Sequence, residues 1–293
     1  MIHSSLRLGP VAYLHRRLRA ACANWLARGN ARTAPAQIAC FPRDYIGKLI
    51  VANGAYEDLI LRCLFETTFA RRRDQFRGGI VLDVGANIGN HSAWFARYFA
   101  EVIAFEPNPI CVHLFEAGRL MNATQNVRLV PRGLSDRDTI ATLHANLHGN
   151  LGGSHLGEKS ADGTSHTFEV QLQRGDDVLA NESLPVRLVK LDVEGHEHAV
   201  LRGLEQTLRR DQPIVLFESS GTQGADGSLA ILETLRAWNY RHTYVIEADA
   251  DRGGNRLARF GKRLLQGYRL QVSEVERPAD RYYSLIIATV DAL

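Results

Sequence analysis

An apolar run that ends in an acid and leads into a glycine turn most constrains the fold of this chain. The run is residues 80–82, the acid is Asp83, and Gly85 and Gly89 follow before an amphipathic helical pattern. A second apolar run begins about one turn after that helix and ends in Glu106. Strand, glycine turn, helix, strand and acid is the layout of the nucleoside-binding half of a doubly wound α/β sheet.

The spacing of the glycines distinguishes two classes of nucleoside cofactor. Dinucleotide-binding turns carry the pattern G-x-G-x-x-G, whose middle glycine lets the backbone approach a pyrophosphate. In this chain Asn87 occupies the position of that middle glycine. The turn therefore argues against a nicotinamide cofactor and favours S-adenosylmethionine, which has no pyrophosphate.

This turn is the first of several short blocks that stand in order along the chain. They are DVGANIGN at residues 83–90, FEPN at 105–108, GLSD at 133–136, KLDVEGHE at 190–197 and VLRG at 200–203, with the strand pattern 213–218 after them. In this order and at these separations, the blocks resemble the FkbM-type methyltransferases. That family belongs to the class I S-adenosylmethionine-dependent fold. The likeness covers residues 45–247 and the last strand.

The resemblance implies both a fold and an activity. The implied fold is a Rossmann-like, doubly wound, mostly parallel seven-stranded sheet whose last strand is antiparallel. Alternating strand and helix patterns in the sequence agree with such a sheet. The implied activity is methyl transfer from S-adenosylmethionine to hydroxyl acceptors on sugars, glycans or secondary metabolites.

The chain divides at about residue 43. Residues 1–43 form a basic helical leader, and residues 44–293 form the methyltransferase domain. Within that domain, we expect a short strand from Lys48 to Val51, a helix over residues 56–73, an inserted hairpin and loop at 139–175, and a basic insert at 249–280. The basic insert suits either a lid or dimer-packing arm, or a grip on an anionic acceptor.

The leader has three interpretations. Apolar residues at helical spacing, among them Leu14, Leu18 and Trp25, favour a helix that packs on the domain. Arginines without any acid before Asp44 suit a basic helix on an anionic membrane or a partner. The same composition also resembles an organelle transit peptide. We predict packing first, with peripheral membrane contact as the alternative.

Cofactor roles follow from the ends of the predicted strands. Asp83 and Asn87 would meet the methionine portion, Gly85 would leave room for the cofactor, and Glu106 would hold the ribose hydroxyls. Asp136, in the turn after the third strand, would accept from the adenine amino group. The full predicted cofactor-binding set is Asp83, Gly85, Asn87, Gly89, Asn90, Glu106, Asn108, Ser135 and Asp136.

The catalytic centre is predicted at Asp192, Glu194 and His196. A hydroxyl acceptor must lose its proton, and a carboxylate or imidazole can take it. Asp192 and Glu194 alternate, so in an extended chain they share one face. Asp-x-Glu-x-His also offers ligands for Mg²⁺, but no further sequence feature completes a ligand set, so no metal is predicted.

The glycine-rich loop after the first hairpin strand is the predicted acceptor-binding segment. Its glycines permit a mobile lid, and Asn150, Ser154 and His155 could contact the acceptor. The bland alternative is a surface loop without function.

Composition limits which other binding partners and cellular locations the protein can have. A net charge of +3 and the lack of an aromatic-basic platform disfavour nucleic acid. Four cysteines without a C-x-x-C pair fit reduced thiols in the cytoplasm. No apolar stretch reaches transmembrane length and no signal-peptide core is evident, so we expect a soluble or peripheral protein. The alternatives to O-methylation are N-methylation of an amine or peptide and non-catalytic S-adenosylmethionine binding, and a homodimer remains open.

Overall fold

The computed structural model describes residues 9–34, 36–146, 151–157, 166–219, 221, 227–248 and 269–293. Its twelve described strands are β1 Ile80–Val84, β2 Glu101–Phe105, β3 Val127–Val130, β4 Gly133–Ser135, β5 Thr139–Ala145, β6 His155–Leu156, β7 His166–Arg174, β8 Val186–Leu191, β9 Ile214–Ser219, β10 His242–Ala248, β11 Leu270–Glu274 and β12 Tyr283–Thr289. Its described α-helices are α1 Pro10–Thr33, α2 Tyr45–Asn53, α3 Asp58–Arg62, α4 Arg73–Arg77, α5 Asn90–Phe95, α6 Pro109–Met121, α7 Gly175–Val178, α8 Glu197–Gly203, α9 Glu205–Asp211 and α10 Ser228–Ala237.

The main sheet has the order β11-β10-β12-β9-β8-β1-β2-β3. Strands β9, β8, β1, β2 and β3 pair in parallel, whereas β12 is antiparallel to both of its neighbours. This arrangement confirms the predicted α/β fold class. The seven predicted strands are joined by an eighth, β11, which lies within residues predicted as a basic insert and pairs antiparallel with β10.

A second sheet lies between β3 and β8 in the sequence and has the order β4-β7-β5-β6. Its centre is the predicted hairpin, in which β5 and β7 pair antiparallel from Thr139↔Leu172 to Ala145↔His166. The short strand β4 pairs in parallel with β7. Because β4 follows β3 by only a few residues, this sheet is placed beside the edge of the main sheet where its parallel strands end.

Two predicted elements before β1 are wrong. Residues 48–51, predicted as a strand, lie in helix α2, because Asp44 caps the helix by accepting hydrogen bonds from the backbone N–H groups of Ile46 and Gly47. The predicted continuous helix over 56–73 is interrupted by a π-helical turn at Cys63–Thr68. There the hydroxyls of Thr67 and Thr68 both donate to the carbonyl of Cys63, which competes with regular helix bonding.

The core covers both faces of the main sheet. One face packs against α8, α9 and α10 through residues such as Leu201 and Leu232. The other face packs against an aromatic group formed by Phe65, Phe69, Phe76, Phe95 and Phe99. Burial on both faces fixes the strands rigidly, so the residues at their carboxyl ends are held in a constant arrangement.

Helix α1 does not pack on the domain through the predicted residues. Leu14, Leu18 and Trp25 are exposed, Trp25 to 76%. The attachment is instead at the end of the helix, where the Asn30 side chain donates to the Val51 carbonyl at 2.7 Å. Among the helices that the structure describes, none combines the length and apolar character needed to span a membrane.

Candidate active site

The carboxyl ends of β1, β2, β8 and β9 meet at one edge of the main sheet. A cavity of about 300 Å³ opens there, a size in the range of small-molecule sites. Of the predicted site residues, those that line the cavity are Gly85, Asn87, Glu106, Ser154, Asp192, Glu194 and His196. The structure therefore brings together residues that lie more than a hundred positions apart in the sequence.

The glycine turn after β1 approaches the end of β8 closely. Gly85 has φ +76°, and a Cβ at this position would lie 1.8 Å from the Asp192 carbonyl oxygen. Asn87 also has a positive φ, +50°, and its side-chain oxygen accepts from the Cys111 thiol at 3.2 Å. Left-handed backbone at both positions turns the chain sharply away from β1, which exposes the turn to the cavity.

Glu106 closes the same turn from β2. Its two carboxylate oxygens accept hydrogen bonds from the backbone N–H groups of Asn87 and Asn108, each at 2.8 Å. Burial raises the pKa of Glu106 to about 7, although these two hydrogen bonds lower it. Glu106 lines the cavity, and a carboxylate oxygen that accepts one hydrogen bond has the capacity to accept a second.

Asp83, predicted to contact the ligand, lies beneath the cavity and is fully buried. Its carboxylate accepts from the Ser92 hydroxyl at 2.6 Å and lies 3.4 Å from the Lys190 ammonium nitrogen. Because β1 and β8 are adjacent and in register at Asp83↔Lys190, the sheet itself makes this contact. Asp83 therefore acts through the turn and Lys190 rather than at the cavity surface.

Lys190 is the buried cation of the site and was missed by sequence reasoning. Its ammonium group lies 3.1 Å from Asp192 Oδ2 and donates to the Gly85 carbonyl at 3.0 Å. Burial would lower the pKa of Lys190, but the carboxylates of Asp192 and Asp83 outweigh it and raise the pKa above its ordinary value. The available signal was the spacing of Lys190 on β8 and Asp192 just after it, because residues two apart in an extended chain direct their side chains the same way.

Glu218, near the end of β9, was also missed. It forms a carboxyl–carboxylate pair with Asp192, and its pKa is raised to about 9 by burial and by the Asp192 charge. Burial would raise the pKa of Asp192, but Lys190 and the hydrogen bond from Glu218 lower it below its ordinary value. At neutral pH Glu218 is therefore protonated and donates to Asp192. An acid at the end of a strand, the signal that singled out Glu106, also marks Glu218.

Glu194 adds a third carboxyl group to the pair that Asp192 and Glu218 form. Oxygens of Asp192, Glu194 and Glu218 lie within 4.8 Å of one another, a spacing that could hold a metal ion. Lys190 already supplies a positive charge to this group. Loss of water around the Glu194 carboxyl, together with the charges of Asp192 and Glu197, raises its pKa to about 7.

The side chain of Glu197 holds the turn that carries Glu194. Glu194 and Gly195 both have positive φ, +51° and +91°. The buried Glu197 carboxylate accepts from the backbone N–H groups of Val193 and Gly195, each at 3.1 Å. These two bonds hold the backbone of the turn that carries Glu194 against the start of α8.

His196 is part of the link between β4 and α8. Its Nε2 lies 3.0 Å from the Ser135 hydroxyl. Asp136, predicted to bind adenine, pairs instead with the guanidinium of Arg202 at 2.9 Å, and this bond lowers the pKa of Asp136. Ser135 and Asp136 do not line the cavity. Gly133 and Leu134, just before them, do.

The roof of the cavity joins α2 to the 3₁₀ turn at Leu151–Gly153. Besides capping α2, Asp44 accepts from the Leu151 N–H at 2.7 Å. Ser154 lines the cavity and receives a hydrogen bond from Asn108, at 3.3 Å, so Asn108 acts by positioning.

The other two residues predicted to contact the acceptor differ from Ser154. His155 stacks on His144 in the second sheet, with ring centroids 5.6 Å apart, and does not line the cavity. Asn150 lies outside the described residues.

The first turn of α5, the helix that follows the glycine turn, fixes the position of Tyr56 in the cavity wall. Asn90 exchanges two hydrogen bonds with the backbone of Tyr56, each at 2.9 Å, and the buried His91 lies 3.2 Å from the Glu57 carboxylate. Tyr56 lines the cavity, whereas Asn90 does not. Gly89 does not line the cavity either. It packs against Phe115, whose ring would lie 2.8 Å from a Cβ at this position.

Comparison with known proteins adds to this geometry. The profile described as the Methyltransferase FkbM domain matches residues 83–242, more than half of the chain. Methyltransferase sdnD of Sordaria araneosa is 30% identical over 177 residues, which cover 48% of this chain and 67% of that protein. Hexuronic acid methyltransferase AglP of Haloferax volcanii is 29% identical over 156 residues, which cover 50% of this chain and 59% of that protein.

A solved structure of a methyltransferase FkbM from Methylobacillus flagellatus matches with a TM-score of 0.41 and 12% identity. The match covers 72% of this chain and 44% of that one. The domain match includes the glycine turn, Glu106 and the Asp192–Glu194 turn, which line the cavity. This chain therefore belongs to the FkbM methyltransferase family and is a methyltransferase.

Proposed function

We propose that the chain transfers the methyl group of S-adenosylmethionine to a hydroxyl group of a sugar, a glycan or a secondary metabolite. The observation that carries the cofactor assignment is Glu106, a buried carboxylate fixed by two backbone N–H groups at the cavity wall. Such a group suits the two ribose hydroxyls of a nucleoside. Family membership supports the same cofactor.

The lining residues fit the rest of that cofactor. The turn at Gly85 and Asn87 would face its methionine portion, and Glu106 would hold the ribose. The apolar side chains of Phe105, Pro107 and Leu134 offer a surface for the adenine ring. S-adenosylmethionine, when bound, supplies an electrophilic methyl group. We do not assign adenine recognition to the Asp136 carboxylate, because Arg202 already engages it.

We call the part of the cavity where Asp192, Glu194 and Glu218 meet the acceptor end. It contains one group well suited to accept a proton. Glu194 lines the cavity, and its pKa of about 7 leaves it partly ionised at neutral pH while keeping it basic enough to act. Asp192 is a weaker base because Lys190 and Glu218 stabilise its charge. Glu218, with a pKa of about 9, is protonated and cannot accept at neutral pH.

His196 is less suited to this role than Glu194. Its Nε2 is bonded to Ser135, which lies outside the cavity lining. We therefore assign the general base to Glu194, the orientation of the acceptor hydroxyl to Asp192, and a positioning role to His196.

The charge of this end favours an acceptor without a negative charge. Glu194, Asp192 and Glu218 converge there, and the Lys190 ammonium is already engaged by Asp83, Asp192 and Gly85. A hydroxyl acceptor needs a base, whereas a carboxylate acceptor does not. The name of AglP, a hexuronic acid methyltransferase, supports a sugar acceptor, but a hexuronic acid carries a carboxylate, so the charge of this end favours a neutral sugar over that relative's named acceptor. A cationic amine also suits the acidic cluster and is the second candidate.

A matched acceptor series tests the reaction type. The protein is incubated with methyl-labelled S-adenosylmethionine and a methyl hexoside, the corresponding uronic acid or the corresponding amino sugar. We expect label in the hexoside, in an ether that survives mild alkali. Alkali-labile label on the uronic acid alone would identify an ester and contradict the hydroxyl assignment. Label on the amino sugar alone, in a methylamine rather than an ether, would establish N-methylation instead.

We further propose a cytoplasmic location. Cys22, Cys40, Cys63 and Cys111 are all free, which fits a reducing compartment. Burial raises the pKa of Cys40 and Cys111, so both thiols are poorly reactive.

A further inference from the structure

Helix α1 presents an apolar stripe that the described part of the chain leaves uncovered. At the α-helical repeat, Leu14, Trp25, Leu18, Val11 and Cys22 fall within an arc of roughly 80°. Every residue from Pro10 to Trp25 is exposed, including Val11 to 68% and Trp25 to 76%. A stripe of this kind in water normally marks a surface that another phase or molecule covers.

The helix is attached to the domain at one end. The Asn30 side chain bonds the carbonyl oxygens of Ile50 and Val51, at the end of α2. On the helical repeat, Asn30 lies about a quarter turn from the edge of the apolar stripe, so this attachment leaves the stripe exposed. The first two thirds of α1 can therefore bind a surface without any change in the fold of the domain.

The charges beside the stripe specify what that surface is. Arg17 and Arg28 lie on one side of it and Arg19 on the other, and the chain has no acidic residue before Asp44. Arginine heads flanking leucine and tryptophan side chains are typical of helices that lie in the interface of an anionic membrane. A second copy of α1 is a poorer occupant, because pairing two such helices would bring arginines together without a partner acid.

We propose that α1 binds flat on an anionic lipid surface, with Leu14, Leu18 and Trp25 inserted at the boundary between headgroups and acyl chains. This inference rests on α1 alone and does not depend on the proposed methyl transfer. The arginines attract the helix to the surface, and the apolar stripe holds it there.

Vesicle flotation of the full chain tests the proposal. We expect flotation with vesicles of phosphatidylcholine and phosphatidylserine, little flotation with phosphatidylcholine alone, and loss as salt rises. Replacing Arg17 and Arg28 by glutamine should weaken partitioning about fivefold per arginine. Tryptophan emission should shift to the blue on binding. Trp94 and Trp238 are buried, so Trp25 would be the source, and Trp25→Phe should remove the shift.

A matched pair of variants separates insertion from charge. Leu14→Ser with Leu18→Ser removes both leucines of the stripe, whereas Ala20→Ser with Ala27→Ser makes the same kind of change on the opposite face. The first variant should lose at least about tenfold in partitioning and the second less than about twofold, since leucine burial supplies far more free energy than alanine burial. Both should keep the wild-type melting temperature.

Three results would overturn the proposal. The first is a wild-type chain that ignores anionic vesicles at low salt. The second is equal flotation of the two serine variants. The third is a dimer, seen by light scattering, that the Leu14→Ser/Leu18→Ser variant alone loses, which would identify a second copy as the occupant.

Discussion

At the scale of single residues, the assignment of Glu194 predicts a pH dependence. The group acts as a carboxylate, and its pKa is raised to about 7, so turnover should fall as pH drops through 7. Glu194→Gln should lower kcat by about 10²–10⁴-fold and flatten this limb of the profile. The measurement is kcat against pH with both substrates saturating, because Glu106 has a similar pKa and affects cofactor binding.

Two neighbouring variants rank the candidates. Asp192→Asn should reduce turnover more than cofactor affinity, and His196→Ala should reduce it less than Glu194→Gln. If His196→Ala had the largest effect and removed the acid limb, the base would be His196 rather than Glu194.

Sequence patterns predicted some of these residues for a clear physical reason. An acid that ends a buried parallel strand must lie at the row of strand ends, where the cavity opens. This rule singled out Glu106 and Asp192. The contact of Lys190 with Asp83 could not be predicted in the same way, because it depends on which strands are neighbours in the sheet and on their register. The bond between Asp136 and Arg202 likewise depends on how α8 is placed against β4.

Among the secondary-structure elements, helix α8 packs so closely on β4 that Gly203 should not tolerate a side chain. A Cβ on Gly203 would lie 1.9 Å from the Ser135 carbonyl oxygen, a backbone atom that cannot move freely. Gly203→Ala should therefore lower the free energy of unfolding by about 1–3 kcal/mol, the usual cost of overpacking. It should also disturb the His196–Ser135 bond.

Gly78 provides the matched control. Its φ is −99°, and the nearest atom to an added Cβ is 3.9 Å away, so Gly78→Ala should be tolerated. Denaturant midpoints of the two variants measure the difference. Equal stability of both would show that α8 can move away from β4 without cost.

Elements before β1 show where local patterns are insufficient. Residues 48–51 are apolar enough for a strand, but the Asp44 cap and the left-handed Gly54 define a helix. The π-helical turn at Cys63–Thr68 depends on threonine hydroxyls that a periodicity argument ignores. By contrast, the β5–β7 hairpin follows from alternation in the sequence.

At the scale of the whole molecule, strand and helix alternation predicted the doubly wound sheet, but not its eighth strand. Strand β11 has only half-buried or exposed residues and lies at the sheet edge, so its sequence lacks a strong apolar signal. The prediction that α1 packs on the domain through Leu14, Leu18 and Trp25 was wrong, because a sequence pattern does not show the neighbours of an element. Periodicity shows which face of a helix is apolar but not what covers that face.

The proposed function requires S-adenosylmethionine to bind through Glu106 where the parallel strands of the main sheet end. Calorimetry on the purified full chain tests it most directly, with S-adenosylhomocysteine and NAD as ligands. Glu116→Ala serves as the control, because Glu116 pairs with Arg119 on α6 away from the cavity.

We predict binding of S-adenosylhomocysteine and none of NAD. Glu106→Ala should weaken binding by about 1–3 kcal/mol, the cost of losing charge-assisted hydrogen bonds, while Glu116→Ala should leave it unchanged. Binding of NAD without any response to the sulfur nucleosides, or an unchanged affinity in Glu106→Ala, would rule out this cofactor assignment.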